Sequence, residues 1–281
     1  MKMPFWLQLL RWYGRYFPIS RGKGRITKWA YQHLPKLDRP IVAPITTHIT
    51  TEFYPWLWAD FCTLVMGSPE IYTLAIFRSL IQPNAIVFDI GAYIGAYAFT
   101  ASQLATTGQV HIFEPNPQSA HRIQLAIKQN NLTNTRLNIC AVSDKPGTTM
   151  LHIPQTPTES GLQPTKEPVK IVEIPVQTVD GYCQHMNITG VHLMKIDVEG
   201  AELLVLRGAR KTISRYHPSM IIELHGKQST QFGYSVTDTI RLLRDWGYTL
   251  YKPQHGLTTR PCLQRFQNMT QDRELVIARA E

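Results

Sequence analysis

The chain is poor in cysteine. Its four copies, Cys62, Cys140, Cys183 and Cys262, stand far apart with no Cys-x-x-Cys pair. That spacing excludes a disulfide framework and a cysteine zinc cluster, and leaves Cys140, inside an apolar run, to act as a small hydrophobe. No stretch reaches the roughly 18 uninterrupted apolar residues of a membrane span. The N-terminus lacks the small-residue cleavage site of a secretory signal, so a cytoplasmic address is the expectation. Internal repeats and low-complexity tracts are missing too. Charged residues make up only 17% of the 281, against 43% hydrophobic, which is ample for one sizeable core.

Charge of one sign is nevertheless in excess, at +9, and much of it is local. Arg11, Arg15, Arg21, Lys23, Arg25 and Lys28 fall in the first thirty residues, interleaved with Phe5, Trp6, Leu9, Leu10, Trp12, Tyr13, Tyr16 and Phe17. If residues 4–17 are helical, Trp6, Leu9, Leu10, Tyr13 and Phe17 follow the 3.6-residue period and the arginines are left for anionic headgroups. Two uses compete for this segment: packing on the rest of the chain, or peripheral membrane contact. Nucleic acid is a weaker expectation, because the basic and aromatic residues are concentrated there and not around the strand ends read below.

Residues 1–83 read as this basic amphipathic helix and a cap, with strand-like pieces near Ile41–Ile49 and an apolar helical stretch at Ile71–Leu80. From residue 84 onward short β-branched runs alternate with helical segments, the pattern of βαβ units. Strands are predicted at Ala85–Ile90, Val110–Glu114, Arg136–Val142, Val191–Asp197, Ser219–Leu224, Tyr248–Tyr251 and Glu274–Ala280. Helices are predicted at about Ile94–Ala105, Gln118–Asn130, Ala201–Arg215 and Val236–Trp246. An insertion at about 143–178 holds two further strand-like pieces, Thr148–Ile153 and Lys170–Val176. The expected class is α/β: a mostly parallel seven-stranded sheet with helices on both faces, plus the N-terminal extension.

The chemistry lies at the strand ends. Residues 87–95, VFDIGAYIG, form an apolar strand that stops at Asp89 and turns through Gly91, Ala92, Tyr93 and Gly95 into a helix. A dinucleotide site would read GxGxxG, whereas this turn reads DxGxxxG. An acid ahead of the turn would repel pyrophosphate and suits a ligand bearing an ammonium group, such as the amino acid arm of S-adenosylmethionine. Glu114 ends the next strand, before Pro115, Asn116 and Pro117, about 20 residues or slightly more beyond the glycines, where a carboxylate accepts hydrogen bonds from ribose hydroxyls. A third turn, Ala141, Val142, Ser143 and Asp144, is placed to read an adenine edge.

The most distinctive run is residues 194–202, MKIDVEGAE. Together with DIGAYIG, FEPNP, AVSD, VQTVD and IIELH, it resembles the FkbM family of methyltransferases over roughly residues 60–225. The resemblance implies a Rossmann-like class I methyltransferase fold, S-adenosyl-L-methionine as donor, and O-methylation of a secondary metabolite or glycan. Tyr93 departs from that family's usual asparagine, which puts one polar contact to the cofactor in doubt.

Methyl transfer to an aliphatic hydroxyl needs alignment, exclusion of water and removal of a proton. Lys195, Asp197 and Glu199 end one strand and Glu223 and His225 end the next. His225 is the expected base because imidazole titrates near neutrality, with Asp197 or Glu223 orienting it or gripping the acceptor. Lys195 is read as a catalytic candidate or as the partner of Asp197 and Glu199 in an ion network. Hard oxygen ligands at Asp197, Glu199 and Glu223 would suit Mg²⁺, but no metal is expected, and His48, His111, His121 and His217 show no ligand spacing. The remaining readings are an RNA methyltransferase and a non-catalytic, peripheral membrane or complex-forming protein that keeps the fold. A homodimer is compatible with the sequence.

Overall fold

The computed structural model describes every residue except 1–2, 155–161, 163–169, 255, 257, 259, 261, 270 and 281. The N-terminal part contains α1 (Phe5–Tyr16), α2 (Lys23–His33), the antiparallel pair β1 (Ile41–Pro44) and β2 (Thr50–Phe53), α3 (Trp58–Met66) and α4 (Ile71–Ser79). Alternation then begins with β3 (Ile86–Ile90), α5 (Ala96–Leu104), β4 (Gln109–Phe113), α6 (Pro117–Gln129) and β5 (Thr135–Asn138). After β6 (Ala141–Val142), β7 (Gly147–Ile153) and β8 (Lys170–Gln177) come α7 (Val179–His185), β9 (Leu193–Ile196), α8 (Glu202–Gly208) and α9 (Arg210–Tyr216). The chain continues through β10 (Ser219–His225), α10 (Gly226–Gln231), α11 (Val236–Asp245), β11 (Tyr248–Pro253), β12 (Leu263–Arg265) and β13 (Arg273–Ala280).

The main sheet has the order β12-β11-β13-β10-β9-β3-β4-β5. β10, β9, β3, β4 and β5 are parallel, and β13 runs antiparallel between β10 and β11. The seven expected strands are all present, and short β12 adds an eighth, so the sheet is larger by one strand than the sequence suggested. Strand order reverses between β3 and β9. The crevice beyond their carboxyl ends is therefore where such a sheet binds ligands.

Period two along β3 explains the two-sided burial. Val87 enters one apolar cluster, with α5 residues Ala98 and Phe99, while Phe88 and Ile90 enter the other, with Val205 of α8 and Leu243 of α11. The first cluster also takes in Leu7, Ile41, Phe53 and Leu64, so residues 1–83 share a core with the sheet.

Several boundaries differ from the sequence reading, for local reasons. The helix expected from Ile94 starts at Ala96, because Tyr93 and Gly95 adopt left-handed φ of 52° and 80° and hold the turn open. The strand expected over Arg136–Val142 is two strands in different sheets, β5 and β6; β6 pairs with β8, and β8 pairs with β7. The expected helix Ala201–Arg215 is divided at Ala209 into α8 and α9, where Gly208 crosses Ser143 so closely that a Cβ would lie 2.1 Å from its carbonyl oxygen. Much of the 143–178 insertion between β7 and β8 lies outside the described residues.

The N-terminal helix packs on the rest of the chain, but with its arginines and not its full apolar stripe turned inward. Only Leu7 and Gly14 of α1 are buried, and Leu9 is exposed. The arginines are not free: Arg11 donates to Pro44 O at 2.6 Å, and Arg15 donates to Ile45 O, Thr63 O and Leu64 O at 3.0, 2.9 and 3.2 Å. Two of those acceptors are last-turn carbonyls of α3: Thr63 O, which also accepts the Gly67 amide, and Leu64 O, and a cation is favoured at that end of a helix. Among the described residues, no helix is long and apolar enough to cross a membrane.

Candidate active site

A cavity of about 450 Å³ opens at the carboxyl ends of β3, β4, β9 and β10, within the size range of small-molecule sites. The turn after β3 forms its floor. Gly91 has φ 82° and lies so near the next strand end that a Cβ would stand 1.8 Å from Asp197 O. Glycine is therefore required there on two counts, conformation and space. Glu114 ends β4 and holds this turn from the side: its Oε2 accepts the Tyr93 amide at 2.7 Å and its Oε1 the Asn116 amide at 2.8 Å. Each oxygen keeps a lone pair for a further donor. Burial pushes its carboxyl up to about 8, against the two amides that favour the charged form.

Of the expected cofactor residues, Gly91, Ala92, Tyr93, Glu114, Pro115, Ala141, Val142 and Asp197 line this cavity. Asp89, Gly95 and Asn116 do not. Asp89 is 1% exposed and lies on the face of β3 turned toward α5, where neither carboxylate oxygen meets a well-formed donor. Burial raises it to about 6, with Lys195, its partner across the sheet, acting the other way. Asp89, expected to meet the ammonium group, thus lies beneath the cavity wall, on the same sheet face as its cross-strand partner Lys195, which does line it. Asn116 caps α6 by accepting from Gln118 N at 3.0 Å, and Gly95 passes under Phe99. Cys140 and Leu151 join Ala141 and Val142 to make the opposite wall apolar.

The other end is crowded with charge. Lys195 Nζ, 3% exposed, pairs with Asp197 Oδ2 at 2.6 Å and lies 5.0 Å from the centre of the Tyr97 ring. Lys195 is desolvated, yet Asp197, Glu70, Glu223 and Asp89 around it raise its pKa overall. Asp197 is likewise desolvated, but Lys195, His225 and Arg273 hold it well below the carboxylate range. Glu223 bonds Arg273 through Oε1, while its Oε2 is buried without a partner among the described residues. Burial and the charge of Asp197 push Glu223 up to about 8. Glu199, in a left-handed conformation with φ 50°, is raised to about 7 chiefly by burial.

His225 does not reach this cavity. It is 0% exposed, its Nδ1 bonds Glu202 Oε1 at 2.8 Å, and its Nε2 faces Glu199 at 3.5 Å and Asp197 at 4.0 Å. Burial alone would lower its pKa, but the bond to Glu202 and the charges of Glu199, Glu202 and Asp197 raise it to about 9. An imidazolium at neutral pH has no lone pair to accept a proton, so in that state His225, expected as the base, neutralises the carboxylates around it from outside the cavity lining. Asp197, Glu223 and His225 could bring ligand atoms within 4.8 Å of one another, while Asp197 and Glu223 are also paired with Lys195 and Arg273.

Sequence reasoning missed the cluster that fixes Tyr93. Its hydroxyl bonds Asp60 of α3, which also pairs with Arg122 of α6 and accepts Tyr54 N at 2.7 Å. The Arg122 guanidinium lies 4.1 Å from the centre of the Tyr54 ring. Tyr93, in place of asparagine, therefore ties the cap to the turn with a side chain that also borders the cavity.

A glycine turn at the strand-order reversal, a carboxylate on the neighbouring strand end and an acid-rich pocket beside them define a Rossmann-like methyltransferase. The chain belongs to the FkbM methyltransferase family: the Methyltransferase FkbM domain matches residues 89–250. It is similar to 31-O-demethyl-FK506 methyltransferase FkbM of Streptomyces tacrolimicus, 25% identical over 207 residues that cover 63% of this chain and 77% of that protein. It is also 23% identical over 150 residues to 2-O-methyltransferase NoeI of Sinorhizobium fredii, covering 48% of this chain and 61% of that one. A crystal structure of methyltransferase FkbM from Methylobacillus flagellatus aligns over 79% of this chain and 53% of its own, with 17% identity and a TM-score of 0.45.

Proposed function

We propose that the protein transfers a methyl group from S-adenosylmethionine to a hydroxyl of a small-molecule secondary metabolite or a sugar. The observation that carries this reading is the acid excess of the cavity, where Glu70, Glu114, Asp197, Glu199 and Glu223 outnumber Lys195 and Arg273. A bound cation would draw the raised carboxyls of Glu114, Glu199 and Glu223 into their charged form while a phosphate would not, so such a pocket favours a cationic donor over a phosphorylated one. S-adenosylmethionine, when bound, supplies an electrophilic methyl carbon on a sulfonium leaving group. Glu114 would accept from the ribose hydroxyls, the Gly91–Tyr93 turn would pass under the amino acid arm, and Val142 and Leu151 would flank the adenine. The names of the two relatives, both O-methyltransferases, support oxygen as the receiving atom.

A second cleft of about 1090 Å³ adjoins the first through shared walls at Pro69, Glu70 and Arg273. It would admit the acceptor, bringing its hydroxyl to Glu223. There Arg273 fixes Oε1, and the unpartnered Oε2 would take the proton as the acceptor oxygen bonds to the methyl carbon and the carbon–sulfur bond breaks. With its carboxyl raised to about 8, Glu223 is a stronger base than an ordinary carboxylate once ionised, so methyl transfer should speed up as pH rises through that value. Lys195 orients Asp197 and balances its charge.

Incubation with donor labelled in the methyl group and a panel of glycans, polyketides and RNA tests the reading. Label in an ether linkage on a glycan or polyketide hydroxyl is expected. Label confined to RNA would contradict it.

A further inference from the structure

We infer that the outer face of α1 and α2 is a docking surface for an anionic lipid bilayer. The face is built against the usual logic of a water-facing helix. Phe5, Leu9, Trp12 and Tyr16, spaced four, three and four residues apart, share one side of α1 and are 74%, 53%, 58% and 69% exposed. Ile19, Ile26 and Trp29 continue the exposed apolar surface onto α2. Three cations of the same segment point the other way: Arg11 and Arg15 bond backbone carbonyls of the cap, and buried Lys23 donates to Gly14 O at 2.8 Å. Desolvation lowers Arg11 and holds Arg15 down to about 10. A helix whose outer side faced only water would gain by exchanging those positions, since burying a charge costs and burying an aromatic ring stabilises.

Charge selects the occupant. Residues 1–37 contain no aspartate or glutamate. Around the apolar face Arg21, Arg25, Lys28 and Lys36 are exposed. Large aromatic side chains beside exposed basic ones match the boundary between acyl chains and acidic headgroups, where rings enter the interface and cations meet phosphate. An exposed apolar surface of this kind marks an interaction site. Arg25 in the first turn of α2 and Arg21 just ahead of that helix also line the second cleft, so its mouth lies beside the docking face.

Sedimentation of the full-length chain with phosphatidylcholine vesicles, with and without about 30% phosphatidylglycerol, tests the inference, together with the triple variant Leu9→Ser, Trp12→Ser, Tyr16→Ser. Wild type should bind the anionic vesicles at least about tenfold more tightly than the neutral ones, and the advantage should shrink as salt is raised. The triple variant should bind them at least about tenfold more weakly while keeping its circular dichroism and melting temperature, because the three side chains are exposed. Lys28→Glu should weaken anionic binding alone. Wild type that stays in the supernatant, or a triple variant that binds as wild type does, would overturn the proposal. So would ultracentrifugation showing a wild-type dimer that the triple variant dissolves, since the face would then belong to a second copy. None of these readouts uses methyl transfer, so failure here leaves the reading of the cofactor pocket intact.

Discussion

Replacing His225 by glutamine separates a structural cation from a catalytic base. Wild-type His225 is fully buried among Glu199, Glu202 and Asp197, and its pKa is raised from 6.5 to about 9. A group raised on folding stabilises the native state fully below its unfolded pKa and loses that contribution as pH climbs through the folded value. The window here runs from about pH 6.5 to about pH 9. At about 1.4 kcal/mol per pH unit the contribution is about 3 kcal/mol, comparable to the cost of breaking a buried ion pair. Urea denaturation of wild type and His225→Gln, compared at half-unit steps from pH 6 to 9.5, should show the variant less stable by about 3 kcal/mol at pH 6. The gap should close toward pH 9. Parallel stability curves over the whole range would refute the argument, and would return a neutral imidazole to consideration as the base.

Other perturbations test the turn and the cluster behind it. Gly91→Ala places a methyl group against Asp197 O in a left-handed conformation, and thermal unfolding should report a loss of more than about 3 kcal/mol. Tyr93→Phe removes one bond to Asp60 but leaves Arg122 and the Tyr54 amide on it, so stability should fall by about 1–2 kcal/mol while S-adenosylhomocysteine affinity holds by calorimetry. Glu223→Gln should slow methyl transfer by about a hundredfold or more with donor affinity nearly unchanged. An active variant in a single-turnover assay would remove Glu223 from the mechanism.

The sheet was legible because β-branched runs and strand-end acids recur at regular spacing, and every expected strand of the main sheet has a counterpart. What the sequence could not carry was depth and long-range pairing. Asp89 and Glu114 both look like acids at strand ends, yet Asp89 lies inside β3, buried against α5, while Glu114 stands one residue past the end of β4 and reaches the crevice. The register of β3 with β4 puts the two on one face, so depth and not side separates them. His225 looked like a lone histidine because its partner, Glu202, lies 23 residues upstream on a different element. The cluster of Asp60, Tyr93 and Arg122 was hidden for the same reason: its members sit on α3, on the turn and on α6. In α1 the helical period was visible, but which side faced the core was decided by carbonyls of Pro44, Ile45, Thr63 and Leu64 that only the fold brings within reach of arginine.

The most direct test of the whole account is calorimetric titration of S-adenosylhomocysteine into wild type, Glu114→Ala and Asp89→Asn. Glu114→Ala should bind at least about tenfold more weakly, a loss of about 1.4 kcal/mol or more for an acceptor removed from two ribose hydroxyls, while Asp89→Asn stays within a few-fold of wild type. Equal affinity in wild type and Glu114→Ala would mean that the donor does not lie across the ends of β3 and β4.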